Sequence, residues 1–358
     1  MAMVPGLGIV GGGVWARHHM NAVRDLENEG RAKLVAMCAR TQETVDKTTA
    51  EWKIDGTRNY DELIARPDIH AISVVTPDHL HRDMAIKAMR AGKHVICEKP
   101  MDLTTEGCDE MNAVARETGR LLFVDFHKRY DQVQQQTREF ILQGKIGTVQ
   151  YGNCYMEDTI VVPRDWFPKW AEATTPFWFI GVHQIDMLRW SLGQEVVRVN
   201  SAKGWKGKLS GLGLNTYDSV HAELEFSGGA VFSVDISWIL PETFPAVVNQ
   251  GARFVGSEGV LELDTQDRGF SGCFTGGGMK TFNVNSAHVQ TLALGGSVHS
   301  GYFIDPIKDF MRLVAWLEDG GDIRRLEGKY PSGQDGRAAT AAALAVHQCL
   351  ESGKPVDV

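Results

Sequence analysis

No stretch of this 358-residue chain approaches the roughly 20 continuous apolar residues that a membrane-crossing helix needs. No basic excess is present either. Lys and Arg total 37 against 45 Asp and Glu, a formal charge of -8, which argues against a nucleic-acid or anionic-membrane partner. The six cysteines (Cys38, Cys97, Cys108, Cys154, Cys273, Cys349) include no C-x-x-C pair. That excludes a zinc-ribbon pattern and reads as reduced packing thiols of a cytoplasmic protein. The first residues, Met1-Ala2-Met3-Val4-Pro5, carry no basic segment and run straight into a strand, so no signal peptide is expected. Internal repeats and low-complexity tracts are absent. What is left is ordinary globular composition, 43% hydrophobic and 23% charged, over a length that suits two domains of about 150 residues each.

The first third alternates strand and helix patterns. Apolar runs at 7–10, 33–38, 71–75, 94–97 and 121–125 read as strands. Helical patterns fall between them, from the glycine cluster through Arg24, then over 42–53, 80–91 and 105–118. Strict alternation predicts a parallel, doubly wound Rossmann sheet over 1–126. After a helix at 131–143 the character changes. Val220, Ala222, Leu224 and Phe226 face one way while His221, Glu223 and Glu225 face the other, and 230–238 repeats the alternation after the turn Ser227-Gly228-Gly229. This predicts an antiparallel sheet with one packed face in a second α/β domain, 127–358. Helices are expected over 303–318 and 336–352, and loops in the Gly-rich segments 204–213, 268–278 and 295–301.

The segment Gly11-Gly12-Gly13-Val14-Trp15-Ala16 follows the first strand and opens a helix. That context turns G-x-G-x-x-G/A into a dinucleotide fingerprint, with Gly11 and Gly13 letting backbone approach pyrophosphate at a helix N-terminus, beside Val14 and Trp15. The second strand ends in Cys38-Ala39-Arg40-Thr41, with no Asp or Glu for a ribose 2′-hydroxyl. Arg40 and Thr41 suit a 2′-phosphate, which favours NADP, although Arg40 stacking on adenine would leave NAD in place. Thr76-Pro77-Asp78-His79-Leu80-His81 follows the third strand at the same edge, so Thr76, Pro77 and His81 are expected to cover the cofactor. Glu98-Lys99-Pro100 stops the fourth strand and sets a lysine at the carboxyl end of the sheet, where ligands bind.

Five segments in order now match a known pattern: G-G-G-V-W-A-R-H-H, T-P-D-H-L-H, E-K-P at 98–100, H-K-R-Y at 127–130 and G-V-H-Q-I-D at 181–186. Over nearly its whole length the chain resembles the glucose-fructose oxidoreductase, inositol dehydrogenase and rhizopine catabolism (Gfo/Idh/MocA) family. The resemblance implies a C-terminal open, mostly antiparallel sheet that packs on another subunit's to give a homodimer or homotetramer. It also implies hydride transfer between NAD(P) and a carbinol or carbonyl carbon of a sugar, cyclitol or related compound, with no metal. By the same resemblance Lys99 reaches the cofactor ribose and the substrate oxygen, Glu98 belongs to the cofactor motif, and His183 is the acid/base. Asp186, three residues on, shares a helical face with His183 and suits either ring orientation or a substrate hydroxyl.

One position departs from the family's D-x-G-x-H pattern: Phe179 stands where an aspartate is common. Asp158, Asp165 and Glu157 are the replacements within reach in sequence. Trp166 and Phe179 lie in aromatic-dense segments that suit a sugar face or a packed core, and Arg129 and Lys128 suit an acidic substrate group or a solvated helix entry. Two other classes share the pattern: a glycoside-cleaving enzyme that recycles its NAD, and a non-catalytic cofactor-binding protein.

Overall fold

The computed structural model describes residues 3–293 and 295–358. They fall into two compact units, one built from residues up to Tyr130 together with Asn285–Arg337, the other from Asp131–Val284 and Ala338–Val358.

The first unit begins with β1 (Gly6–Val10), α1 (Ala16–Asn28), β2 (Lys33–Cys38), α2 (Gln42–Trp52), β3 (Asp55–Thr57) and α3 (Tyr60–Ala65). It continues with β4 (Ala71–Val74), α4 (His81–Arg90), β5 (His94–Cys97), α5 (Thr105–Thr118) and β6 (Leu122–Val124). The strands form a six-stranded, all-parallel sheet in the order β3-β2-β1-β4-β5-β6, the doubly wound Rossmann arrangement. Local chemistry explains the boundaries. Strands β1, β4, β5 and β6 are buried at every residue, as expected when both faces of a parallel sheet are covered. Thr41 and Thr104 cap α2 and α5 by accepting from the Thr44 and Gly107 amides, and α5 stops at Gly119 with φ 64°.

The second unit contributes α6 (Gln132–Leu142), β7 (Val149–Thr159), α7 (Pro168–Ala171), α8 (Val182–Leu192), β8 (Val196–Trp205) and β9 (Ser219–Phe226). After these come β10 (Val231–Leu240), β11 (Val248–Gly256), β12 (Val260–Asp264), β13 (Ser271–Phe274) and β14 (Gly278–Thr281). The chain then returns to the first unit with β15 (His288–Thr291), β16 (Ser297–Ser300) and α9 (Asp305–Glu318), and closes with α10 (Gly333–Ser352) and β17 (Val356–Asp357). The large second sheet runs β12-β11-β7-β10-β9-β8-β17. All its pairings are antiparallel except β7 with β10. On its inner face Val220, Ala222, Leu224, Phe232, Val234, Ile236 and Trp238 are buried, as the period-two pattern predicts.

Two of the expected loops are replaced by short hairpins. Segment 268–278 carries β13 and the first residue of β14, and 295–301 carries β16, which pairs with β15. Their glycines sit at turns and strand ends with positive φ, as at Gly276, Gly278 and Gly301, so a glycine count alone suggests coil. The 204–213 segment likewise begins inside β8.

The returning segment docks through α9, whose Ile307, Phe310, Met311 and Val314 join the core formed by α1 and the sheet. Buried Asp25 on α1 accepts from Lys308 Nζ at 2.8 Å and faces His299 Nδ1 at 3.0 Å. Burial opposes ionisation of Asp25, but these partners outweigh it and hold the carboxyl below its usual value. All six cysteines are free thiols, five of them buried and Cys273 exposed. No described helix is long and apolar enough to cross a membrane.

Candidate active site

The carboxyl edge of the first sheet gathers most of the expected residues. Gly11 has φ 113°, and a Cβ there would stand 1.9 Å from the Val75 carbonyl oxygen, so only glycine fits where β1 leaves the sheet. At Gly13 the opposite holds: a Cβ would meet no atom within 4 Å. The backbone at Gly13 therefore faces open space, α1 has no side-chain cap, and its first turn holds no acidic residue. An anion is welcome at such a helix start. Val14 is exposed, while Trp15 is packed by His18, His127 and Phe303 with ring centroids 5.0, 5.5 and 4.7 Å away. Two buried polar atoms at this edge, Trp15 Nε1 and Thr76 Oγ1, have no hydrogen-bond partner in the protein. Buried polar groups are normally satisfied, so these two fit a dinucleotide that would supply the missing partners.

Arg40 and Thr41 are exposed at the end of β2. Arg58 approaches from the other side and donates Nε to the Arg40 carbonyl at 3.2 Å, a second guanidinium that the sequence pattern did not single out. The Thr41 hydroxyl is already engaged with Thr44, as the α2 cap and through a 2.8 Å hydroxyl pair.

Three of the expected ligand residues have partners within the fold. Both ring nitrogens of buried His81 face backbone carbonyls, Pro100 O at 2.7 Å and Thr76 O at 2.8 Å, so the ring ties the two turns together and leaves neither nitrogen for a cofactor. Arg129 is buried and pairs with Asp335 at 2.8 Å. Lys128 lies over the Tyr302 ring, 4.6 Å from its centroid. Sequence spacing could not foresee any of these, because each partner is distant in the chain or is a backbone oxygen.

Lys99 is half-buried at the end of β5, and its bond to Pro100 is cis. Glu98 turns inward. Cys97 and Val124 are register partners, so the next residues, Glu98 and Asp125, emerge side by side. His19 on α1 reaches both: Nε2 lies 3.1 Å from Glu98 Oε1 and 3.7 Å from Asp125 Oδ2, while Nδ1 faces Ser73 Oγ at 2.8 Å. Burial pushes the Asp125 carboxyl well above the usual carboxylate range, and the neighbouring Glu98 adds to the effect. Burial also opposes ionisation of Glu98, but the hydrogen bond from His19 and the charge of Lys99 leave it below its ordinary value. His19, Ser73 and Asp125 are the residues the sequence reading missed. A signal for Asp125 was present: an acidic residue closing an apolar strand run at the ligand edge.

The second unit places His183 in the first turn of α8, a helix buried on nearly every side. A π-helical turn, Phe177–Gly181, leads directly into it, and another spans Val162–Trp166. Single π turns inside helices are rare and frequent at functional sites. Phe179 packs on Phe167, Trp170 and Trp238, with centroids 4.8, 5.5 and 5.6 Å away. Aromatic packing thus occupies the position where the family pattern has a carboxylate. Trp166 is 56% exposed and stands outside that cluster's ring contacts. Asp186 is buried 3.7 Å from Arg189, whose guanidinium also binds Glu195 at 2.6 and 2.7 Å. Of the candidate substitutes, Asp165 pairs with Arg164 on the surface, and Glu157 accepts from Asn249 on the outer face of the sheet. Asp158 alternates with Glu157 and is buried.

Residues 6–126 match the family described as "Oxidoreductase family, NAD-binding Rossmann fold" (GFO_IDH_MocA), and residues 134–262 match the GFO/IDH/MocA C-terminal domain. The chain belongs to the Gfo/Idh/MocA oxidoreductase family. It is 25% identical to an inositol 2-dehydrogenase of Rhizobium meliloti (strain 1021), over 98% of both chains. It is 28% identical to the levoglucosan dehydrogenase of Pseudarthrobacter phenanthrenivorans, a match covering 64% of this chain and 66% of that protein, just short of two thirds. Among solved structures, a myo-inositol 2-dehydrogenase from Lactobacillus plantarum superposes with a TM-score of 0.78 at 24% identity, covering 99% of this chain and 100% of that one. These likenesses fix the fold as a Rossmann domain followed by the family's open sheet.

Proposed function

We propose that this family member transfers a hydride between a nicotinamide cofactor and a carbinol or carbonyl carbon of a sugar, cyclitol or related polyol or sugar acid. The observation that carries the reading is the carboxyl edge of the first sheet, where an open glycine turn, two unsatisfied buried donors and Lys99 lie together. When bound, the cofactor supplies or takes the hydride. Lys99 provides positive charge for the substrate oxygen, and His183 exchanges its proton. The substrate class is supported by relatives named for inositol, levoglucosan and D-glucoside dehydrogenation. The test follows reduced-nicotinamide absorbance while the purified protein meets a panel of sugars, polyols, glycosides and sugar acids. Cofactor reduction with at least one member is expected. Glycoside cleavage without net reduction would replace this reading by an enzyme that recycles its cofactor, and silence across the panel would favour a non-catalytic cofactor binder.

Of the two nicotinamide cofactors, NADP is favoured. The second strand ends without a carboxylate, and Arg40 and Arg58 lie together there. Guanidinium pairs suit a 2′-phosphate. A ligand that binds only the folded protein raises its melting temperature according to concentration over Kd. NADP is therefore expected to raise the melting temperature more than NAD at equal concentration; a larger rise with NAD reverses the assignment.

The outer face of the second sheet supports self-association. It carries Tyr151 and Trp205, 53% and 50% exposed, and a concavity of about 540 Å³ lined by Tyr155, His221 and Asp235 among others. Light scattering is expected to give the mass of a dimer or tetramer, and Trp205→Glu to reduce it. A single-chain mass at all concentrations would exclude the arrangement.

A further inference from the structure

Four rings of the second unit form one cluster next to His183 on the chain. Phe167 contacts Trp170, Phe179 and Trp238 with centroids 4.8, 4.8 and 5.9 Å away, and Phe179 contacts Trp170 at 5.5 Å and Trp238 at 5.6 Å. Burial is graded across the cluster. Trp238 on β10 is fully sealed, whereas Phe167, Trp170 and Phe179 are each half-buried. Rings of a closed core are sealed together; here only the floor is, and three large apolar side chains keep a face toward solvent. Phe179 stands four residues before His183 on one unbroken helical run, Phe177–Gly181 followed by Val182–Leu192, so the two are about one turn apart. The three half-buried rings are tilted 53–76° to one another, the edge-to-face arrangement that aromatic pairs prefer. Tilted rings offer no single flat face for a sugar ring to stack on. They suit a compact apolar group that rests in the angle between them.

The polar groups around the rings point the same way. Arg164 binds Asp165 at 2.6 Å and Glu242 at 2.8 Å, and Glu172 accepts from the Asn215 amide at 3.0 Å, so these three charges are engaged with other partners. Trp238 Nε1, the polar atom of the floor, is sealed from solvent. A substrate hydroxyl pressed against the Phe167 and Phe179 rings would lose its water partners and gain none, whereas an alkyl or aryl group would lose only unfavourable contact with water. We propose that Phe167, Trp170 and Phe179 form a subsite for an apolar substituent, and that the substrate of the hydride transfer is a glycoside with an alkyl or aryl aglycone, taken in preference to a free sugar or cyclitol. The proposal rests on the hydride-transfer reading and adds to it the class of substrate. Because Phe179 and His183 adjoin on one helix, an aglycone held at the first brings its sugar ring to the second. The aglycone does not react, so the apolar area it removes from water is expressed in kcat/KM.

The test offers the full chain matched methyl and phenyl pairs of glucosides, galactosides and mannosides. In at least one pair the phenyl member is expected to show a kcat/KM at least about tenfold above the methyl member, the smallest gain expected of even one added methylene in an apolar pocket. It should also raise the melting temperature more at equal concentration. Phe179→Asp and Trp170→Ala should each shrink the phenyl-to-methyl ratio about tenfold, and Phe179→Leu, which keeps apolar contact, should preserve most of it. The ratio compares two substrates on one preparation, so partial unfolding of a variant leaves it unaltered. The melting-temperature arm needs no turnover: stabilisation by the phenyl member without cofactor reduction would keep the subsite while the hydride-transfer reading fails. Equal kcat/KM and equal stabilisation within every pair, or a phenyl preference that Phe179→Asp and Trp170→Ala both retain, would overturn the proposal and return the four rings to core packing.

Discussion

Replacing Lys99 by alanine is expected to lower turnover by about 10²–10⁴-fold while the fold survives, the range typical for losing a positioned proton-transfer group or a charge at a developing oxyanion. The size of the effect follows from where Lys99 sits. β5 is buried at every residue and makes the packing contribution, whereas Lys99 follows it and is only half-buried. Truncating its side chain removes no register pair of the sheet and opens no core cavity. What disappears is a cation at the carboxyl edge of the sheet, where the glycine turn faces open space. The far-ultraviolet circular dichroism and the melting temperature should stay near wild type while kcat falls. Near-wild-type turnover in a well-folded variant would remove Lys99 from the mechanism, and loss of the dichroism signal would show that the residue is structural.

Lys99 and the glycine turn are legible in the sequence because each belongs to one strand–turn unit. The apolar run 94–97 ends at a proline, and the run before Gly11 ends in consecutive glycines, so local chemistry alone locates both at the ligand edge. Five strands of the first sheet are legible for the same reason, as short apolar runs alternating with helical patterns, whereas the three-residue edge strand β3 and the short α3 are too brief and polar to show one. In the second unit β9 and β10 show clean alternation, and both are anticipated to within two residues. Strand β7 is different. It has one antiparallel and one parallel neighbour, and the parallel pairing with β10 brings together residues about 80 apart in the chain, which no local pattern encodes. The return of 285–337 to the first unit is hidden likewise, since α9 has the amphipathic stripe of any packed helix and nothing in it names α1 as its partner. The network behind Lys99 draws one residue from each of α1, β4 and the ends of β5 and β6, so its members are assembled only by the fold. The partners of His81 and Arg129 are hidden for a related reason: composition reveals a polar side chain, but not which carbonyl or carboxylate it meets.

His183→Ala is expected to lower turnover by a comparable 10²–10⁴-fold, and by a similar factor for every accepted substrate. The uniformity is the informative part. A group that moves the carbinol proton is needed whatever the rest of the substrate looks like, whereas a group that recognises one hydroxyl matters only where that hydroxyl is present. Phe179 sharpens the contrast. Its ring packs on Phe167, Trp170 and Trp238, so the helix position where the family pattern has an aspartate offers no acceptor, and Asp186 already lies 3.7 Å from the Arg189 guanidinium. With no carboxylate at 179 to share a proton, the proposed exchange would rest more heavily on His183. The alanine variant should therefore lose kcat and kcat/KM by the same factor on each substrate. A loss confined to substrates bearing one particular hydroxyl would assign His183 to recognition and return the proton-transfer role to Lys99 alone.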